Sequence, residues 1–173
     1  NFDGLDTEME GRHRAGHFDG VGTVVSLLLH LVQPDRAYFG EKDFQQLQIV
    51  RELVRQENLA TQVIACPIVR EAHGLALSSR NKRLTPKQFR EASLLYETLL
   101  EVKGKFTEMP ICQLQELVKE RFLNTTALTL EYFEIADEAT LVPTTHKQVN
   151  RNYRAFIAAY AGEIRLIDNM ALN

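Results

Sequence analysis

Gly40-Glu41-Lys42-Asp43 holds residues whose types and order suit an anion. Glycine permits a tight turn and lets backbone approach a ligand closely. A helix starting just behind such a turn aims its amide groups and its positive dipole end at that ligand. Lys42 adds a mobile point charge of the kind that binds phosphate. A purely local reading competes, because Asp43-Phe44-Gln45-Gln46 has the spacing of a helix capping box. The segment matches no Walker signature.

A second candidate is Leu77-Ser78-Ser79-Arg80-Asn81, two hydroxyls and a guanidinium in a row. Arginine binds phosphate through two parallel bonds, and hydroxyls add neutral donors. Its local alternative is a solvated polar turn leading into the next helix. A third is Arg12-His13-Arg14-Ala15-Gly16-His17-Phe18-Asp19-Gly20, a glycine-flanked loop able to touch an anion or simply to lie on the surface. No cysteine or paired carboxylate near it has zinc-ligand spacing. Cys66 and Cys112 form no CxxC pair and read as two reduced, buried thiols. No serine sits in a nucleophile-elbow context. His30 reads as structural within a helix, and His73 and His146 as loop residues.

The elements that must hold these residues follow from periodicity. Residues 1–22 read as loop, rich in Gly, Asp, Glu, Arg and His. Val21, Val24, Val25, Leu28, Leu31 and Val32 fall at helical spacing and predict an amphipathic helix over 20–33, stopped by Pro34. Ala37-Tyr38-Phe39 predicts a strand, 44–57 a helix and 62–66 a second strand. That order is a βαβ unit, in which ligands lie beyond the C-terminal ends of the strands, where Gly40 to Asp43 would be. Residues 67–83 form a long connection. Thr85, Pro86 and Gln88 then spell a helix start. Its buried face is Phe89, Ala92, Leu95, Tyr96 and Leu99. A helix over 111–123 and strands over 129–136, 153–160 and 164–167 complete an α+β unit with a small antiparallel sheet. The expected division is 1–81 and 82–173. The loops at 8–20 and 71–81 are expected to be mobile, being Gly-rich, polar and suited to closing on phosphate.

The composition bounds the rest. Hydrophobic residues at 45% and charged residues at 25% of 173 are an ordinary globular balance, enough for a core. A net charge of -3 argues against a general nucleic-acid binder. The longest apolar run, 21–32, is broken by Ser26 and His30 and is too short for a bilayer.

Together these segments resemble the pantothenate synthetase (pantoate-beta-alanine ligase) family, specifically its C-terminal portion. The matching blocks are Glu10-Gly11 through Gly20-Val21, Val32-Gln33-Pro34-Asp35, Phe39-Gly40-Glu41-Lys42-Asp43-Phe44-Gln45-Gln46-Leu47, Gly74-Leu75-Ala76-Leu77-Ser78-Ser79-Arg80-Asn81 and Arg165-Leu166-Ile167-Asp168-Asn169. The resemblance implies an α/β fold: the C-terminal part of a Rossmann-like nucleotidyltransferase domain with parallel βαβ, then a small α+β domain. It implies an enzyme that activates pantoate with ATP and Mg²⁺ as pantoyl adenylate, releasing pyrophosphate, and then joins it to β-alanine as AMP leaves. Gly40, Glu41, Lys42 and Asp43 would bind ATP, with Lys42 the main cation at the phosphates. Gln46 would contact pantoate, and Val69 the adenine through its backbone. Leu77, Ser78, Ser79 and Arg80 would clamp the triphosphate. The resemblance also implies a cytoplasmic enzyme, dimeric at full length, with small-molecule partners and neither nucleic acid nor membrane. Ala15 stands where the family usually has proline. The family's His-x-Gly-His motif does not occur in these residues, so this stretch alone is expected to be inactive. The alternative is a non-catalytic nucleotide- or partner-binding module of the same fold.

Overall fold

The structure, a computed structural model, describes residues 2–173. It is a mixed α/β chain with a parallel two-stranded sheet and an antiparallel three-stranded sheet. The chain divides into two compact units, one running to Ile68 and including Ala139–Val142, the other made of Val69–Glu138 and Pro143–Asn173. The division thus falls thirteen residues before the one expected at 81/82, because the 69–81 connection packs with the second unit.

In the first unit, α1 (Glu10–His13) and α2 (His17–Val32) precede β1 (Arg36–Gly40). A 3-10 turn, Glu41–Asp43, leads into α3 (Phe44–Gln56), and β2 (Gln62–Cys66) closes the βαβ unit. The strands run parallel in register, Arg36 beside Gln62 and Gly40 beside Cys66. Leu47, Ile49, Val50 and Leu53 of α3 are buried, as its apolar spacing requires.

The expected loop over 1–22 is corrected. The stretch contains α1 and the first turn of α2, and Phe2, Met9 and Phe18 are buried. Phe2, Phe18, Ile49 and Leu53 form one cluster. Gly22 lets it close, since a Cβ there would come within 2.6 Å of the Phe2 ring. A second correction concerns α2. It buries Phe18, Gly22 and Leu29. Of the predicted apolar stripe, Val25 packs against the cluster around Phe2, but Val24, Leu28, Leu31 and Val32 are exposed, Leu31 82% and Val32 65%. Hydrophobic spacing marks the apolar face of a helix but not what covers it. His30, expected to be structural, lies on the exposed side and bonds the carbonyl of Ser26 at 3.0 Å.

The second unit holds α4 (Pro86–Glu91), α5 (Ser93–Lys105), α6 (Ile111–Leu123), β3 (Thr129–Asp137), β4 (Tyr153–Ala161) and β5 (Ile164–Ala171). The strands lie antiparallel in the order β3-β4-β5. The predicted capping box is present: the backbone N–H of Gln88 donates to Thr85 Oγ1 at 3.3 Å and Thr85 N donates to Gln88 Oε1 at 2.9 Å. The single helix expected after it is interrupted at Ala92. Leu95, Leu99, Leu114, Val118, Ile135 and Ile157 fill the core between helices and sheet. Burying each such leucine contributes about 1.5–3 kcal/mol. Of the two free thiols, Cys66 is half-buried and Cys112 exposed, which corrects the expectation that both are buried. Cys112 occupies the second position of α6, whose inward residues are Ile111, Leu114, Val118 and Phe122.

Candidate functional site

In the first unit the site begins where β1 ends. Gly40 closes the strand, the Glu41–Asp43 turn follows, and α3 starts at Phe44. The capping-box reading of Asp43 is not realised, because its side chain makes no cap hydrogen bond. Its carboxylate instead lies 3.8 Å from Lys42 Nζ, and the Lys42 side chain is 16% exposed. A partly sheltered cation is thus held at the C-terminal edge of a parallel sheet, beside a helix N-terminus. Both features favour an anion there.

In the first turn of α3, the two glutamines part. Gln45 turns inward and is buried. Its Nε2 donates to the carbonyls of Leu5 (2.7 Å) and Glu8 (2.9 Å), and its Oε1 accepts from Glu10 N at 3.1 Å. Gln46 faces a pocket of about 610 Å³, lined also by Gly16, His17, Gly20, Val21, Val24 and Val25. The wall is largely aliphatic, with His17 and Gln46 as polar groups. A mostly apolar pocket with a few polar groups suits a small organic molecule. Arg14 donates to His17 Nε2 at 2.9 Å and lies 3.7 Å from the Glu10 carboxylate. The Gln45 clamp on Glu10 therefore supports the approach to His17.

In the second unit, residues 69–77 form a tight hairpin. Leu77 N donates to Val69 O and Glu71 N to Leu75 O, both at 2.8 Å. Val69 is 66% exposed, whereas Leu75 and Ala76 are buried. Beyond the hairpin, Ser78 caps a 3-10 turn over Ser79–Arg83, its hydroxyl accepting from Arg80 N at 3.3 Å. Asn81 is buried and donates to the carbonyl of Ala76 at 3.1 Å. The expectation of a loose 71–81 loop is corrected here. Leu75, Ala76 and Asn81 anchor it, and Leu77, Ser79 and Arg80 are left exposed. Among the described residues, no group of three or more His, Cys, Asp or Glu could hold a metal, and no helix is long and apolar enough to cross a membrane.

The sequence profile of pantoate-beta-alanine ligase matches residues 1–171. This chain belongs to that family. It is 49% identical over 172 residues to the pantothenate synthetase of Flavobacterium psychrophilum, covering 99% of this chain and 61% of that protein. It is 50% identical to that of Christiangramia forsetii, over 100% of this chain and 61% of the relative. Among solved structures, pantothenate synthetase from Thermus thermophilus superposes with a TM-score of 0.89 at 39% identity, covering 97% of this chain and 60% of that one. The ligase of Francisella tularensis, complexed with beta-gamma ATP and beta-alanine, superposes with a TM-score of 0.71 at 34% identity, covering 97% of this chain and 55% of that one. The chain therefore spans about three fifths of the length of these ligases.

Within the ligase framework, the two predicted blocks fall in different units: Gly40, Glu41, Lys42, Asp43 and Gln46 in the first, Val69, Leu77, Ser78, Ser79 and Arg80 in the second. Sequence reasoning missed the partners of Gln46. Val21, Val24 and Val25 mark the apolar face of an amphipathic helix in the sequence, and in the structure they line the pocket beside it. It also missed Gln45, whose neighbour carried the more visible signal, and the pair Arg70–Asp168. Asp168 had left one: it interrupts an alternating apolar row of Ile164, Leu166, Met170 and Leu172 along β5 and just past its end.

Proposed function

We propose that this chain acts in the ATP-dependent condensation of pantoate with β-alanine, through a pantoyl-adenylate intermediate. The observation that carries the reading is Gln46, which faces an aliphatic pocket one helical turn beyond Lys42 and the end of β1. In this reading the pocket around Gln46 takes pantoate, with the valines of α2 against its methyl groups and Gln46 bonding its polar groups. Gly40, Glu41, Lys42 and Asp43 bind ATP. Val69 contacts adenine through its backbone, and Leu77, Ser78, Ser79 and Arg80 bind the triphosphate. The pantoate carboxylate attacks the α-phosphate and pyrophosphate departs. The β-alanine amine then attacks the activated carbonyl, forming the amide as AMP leaves. Lys42, Arg80 and the serine hydroxyls serve by stabilising charge that grows on the phosphates.

Mg²⁺ fits this site as an ion carried by the nucleotide. It keeps several waters and asks for only one or two carboxylates besides the phosphates. Glu41 and Asp43 are the carboxylates in the turn after β1. Bound there, the ion would neutralise phosphate charge. The reading extends to a cytoplasmic, homodimeric enzyme at full length, consistent with the exposed apolar side of α2.

The test is AMP formation from ATP in the presence of pantoate, with and without β-alanine. The ligase reading requires AMP and pantothenate to appear in equal amounts and only when all three substrates are present. ATP bound without turnover in the full-length protein would favour a non-catalytic nucleotide-binding module instead.

A further inference from the structure

One buried ion pair in the second unit is not explained by packing alone. Arg70 NH1 and NH2 donate to the two carboxylate oxygens of Asp168 at 2.5 and 3.0 Å, across 98 positions of sequence. The Asp168 side chain is 1% exposed and that of Arg70 18%. Arg70 NH1 also donates to the carbonyl of Gly74 at 3.0 Å, and the guanidinium lies 4.2 Å from the centroid of the Tyr96 ring on α5. Asp168 pairs in register with Ile157, so it stands on the sheet face that carries the apolar core. Its Oδ1 also accepts from Asn169 N at 2.8 Å.

A charged pair buried this way gives up much solvation and is a poor source of stability compared with apolar side chains of the same volume. What it does provide is direction. The forked geometry of arginine and carboxylate fixes the guanidinium in plane and angle, and the stack on Tyr96 fixes its height. Arg70 is covalently next to Val69 and bridges to Ala76 across the hairpin. Ala76 in turn accepts from Asn81, and Val69 accepts from Leu77. One chain of links from the ion pair therefore leads through the hairpin to the backbone that carries Val69, Leu77 and Ser78. The 3-10 turn that follows packs along β5, the strand of Asp168.

We propose that Arg70 and Asp168 are positioning residues for nucleotide: they hold the 69–81 segment in the shape that binds ATP, without touching ATP themselves. The inference rests on the assignment of Val69 and Leu77–Arg80 to ATP. It predicts that the pair governs the KM for ATP and leaves the other substrates alone.

The experiment compares R70K, R70A, D168N and the exchanged pair R70D/D168R with the unchanged full-length protein. The KM for each of the three substrates, kcat and the melting temperature are measured for each. The expected result is a rise in the ATP KM of about tenfold or more in R70A and D168N, with the KM for pantoate and for β-alanine within about twofold. R70K should behave like R70A, because an ammonium has neither the planar fork nor the stacking face. The exchanged pair should recover part of the ATP KM. An unchanged ATP KM overturns the inference. So does a parallel loss in all three KM values and in melting temperature, which would mark a purely structural pair. If the unchanged protein shows no saturable dependence on ATP, the ligase reading falls and takes this inference with it. ATP saturation in the unchanged protein with unaltered variants refutes the inference alone.

Discussion

Gly74 is pressed against the ring of Tyr96: a Cβ built on Gly74 would lie 2.2 Å from Tyr96 Cδ1 and 3.0 Å from Cγ and Cε1. The glycine has φ +99°, a conformation that residues with a side chain rarely adopt. Its carbonyl accepts from Arg70, whose guanidinium uses the same aromatic ring. Two independent penalties therefore meet in G74A, backbone strain and a clash with the ring. The expected loss is about 2 kcal/mol or more. Urea denaturation of G74A, Y96A and the double variant would check it. In the double variant the two effects should be less than additive, since removing the ring relieves the clash. Simple additivity would mean that Tyr96 is not what excludes a side chain at 74.

Gln45 and Gln46 should respond to mutation in opposite ways, although they are neighbours of the same type. Q45A removes three hydrogen bonds to the 5–10 segment and leaves the part-buried carbonyls of Leu5 and Glu8 and the buried amide of Glu10 without their side-chain partner. The expected cost is about 1–3 kcal/mol in stability. Q46A opens one wall of a solvent-accessible pocket and should change stability by less than about 0.5 kcal/mol, while raising the KM for pantoate. Denaturation curves and pantoate titrations on both variants separate the roles. A stable Q45A beside an unfolded Q46A would mean the two side chains have been assigned the wrong way round.

What could be read from the sequence was what local rules govern. The second strand was legible to the residue, 62–66, because Gln62-Val63-Ile64-Ala65-Cys66 is a short apolar run followed at once by Pro67. The start of α4 was legible because Thr85, Pro86 and Gln88 each satisfy a helix-start rule independently. The break at Ala92 was hidden, since Phe89, Ala92 and Leu95 keep helical spacing through it. The outward face of α2 was hidden for a different reason: Val24, Leu28 and Leu31 look the same in sequence whether or not something covers them. Residues 5–10 read as polar loop because their order depends on Gln45, some 35–40 positions away. Long-range polar pairs such as Gln45 with Glu10 leave almost no periodic trace, and Asp168 shows only as a break in the apolar alternation of β5 that does not name Arg70 as its partner.

Lys42 offers the most direct test of the anion site. Its contact with Asp43, at 3.8 Å and with Asp43 half exposed, should be worth less than about 1 kcal/mol. Loss of the cation should nonetheless lower AMP formation by about a hundredfold or more, because the charge that develops on the phosphates loses a preorganised partner. Circular dichroism and an AMP-release assay on K42A and K42R decide it. K42R should recover only part of the rate, since a planar guanidinium does not reproduce a compact ammonium. Wild-type rates in K42A would remove Lys42 from the phosphate site.

Acid should weaken the first unit through Glu52 on α3. Arg55 donates to both of its oxygens, Nε to Oε2 at 2.7 Å and NH2 to Oε1 at 2.5 Å, and Gln56 adds a bond at 2.6 Å. The Arg55 hydrogen bonds, chiefly, hold the carboxyl down from its ordinary 4.5 to about 2. A carboxyl depressed on folding favours the folded state above its unfolded value, and this contribution fades as pH falls through the folded one. Glu52 should therefore help at pH 7, lose its contribution between about pH 4.5 and 2, and do so less visibly in high salt. E52Q should be less stable than the unchanged protein at neutral pH, and the gap should close progressively toward the acid end of that window. Urea denaturation of the two proteins across that range follows the gap directly. A gap that persists undiminished at the acid end would mean that glutamine at 52 disturbs the packing of α3, because by then protonation has removed most of what the carboxylate contributes through Arg55.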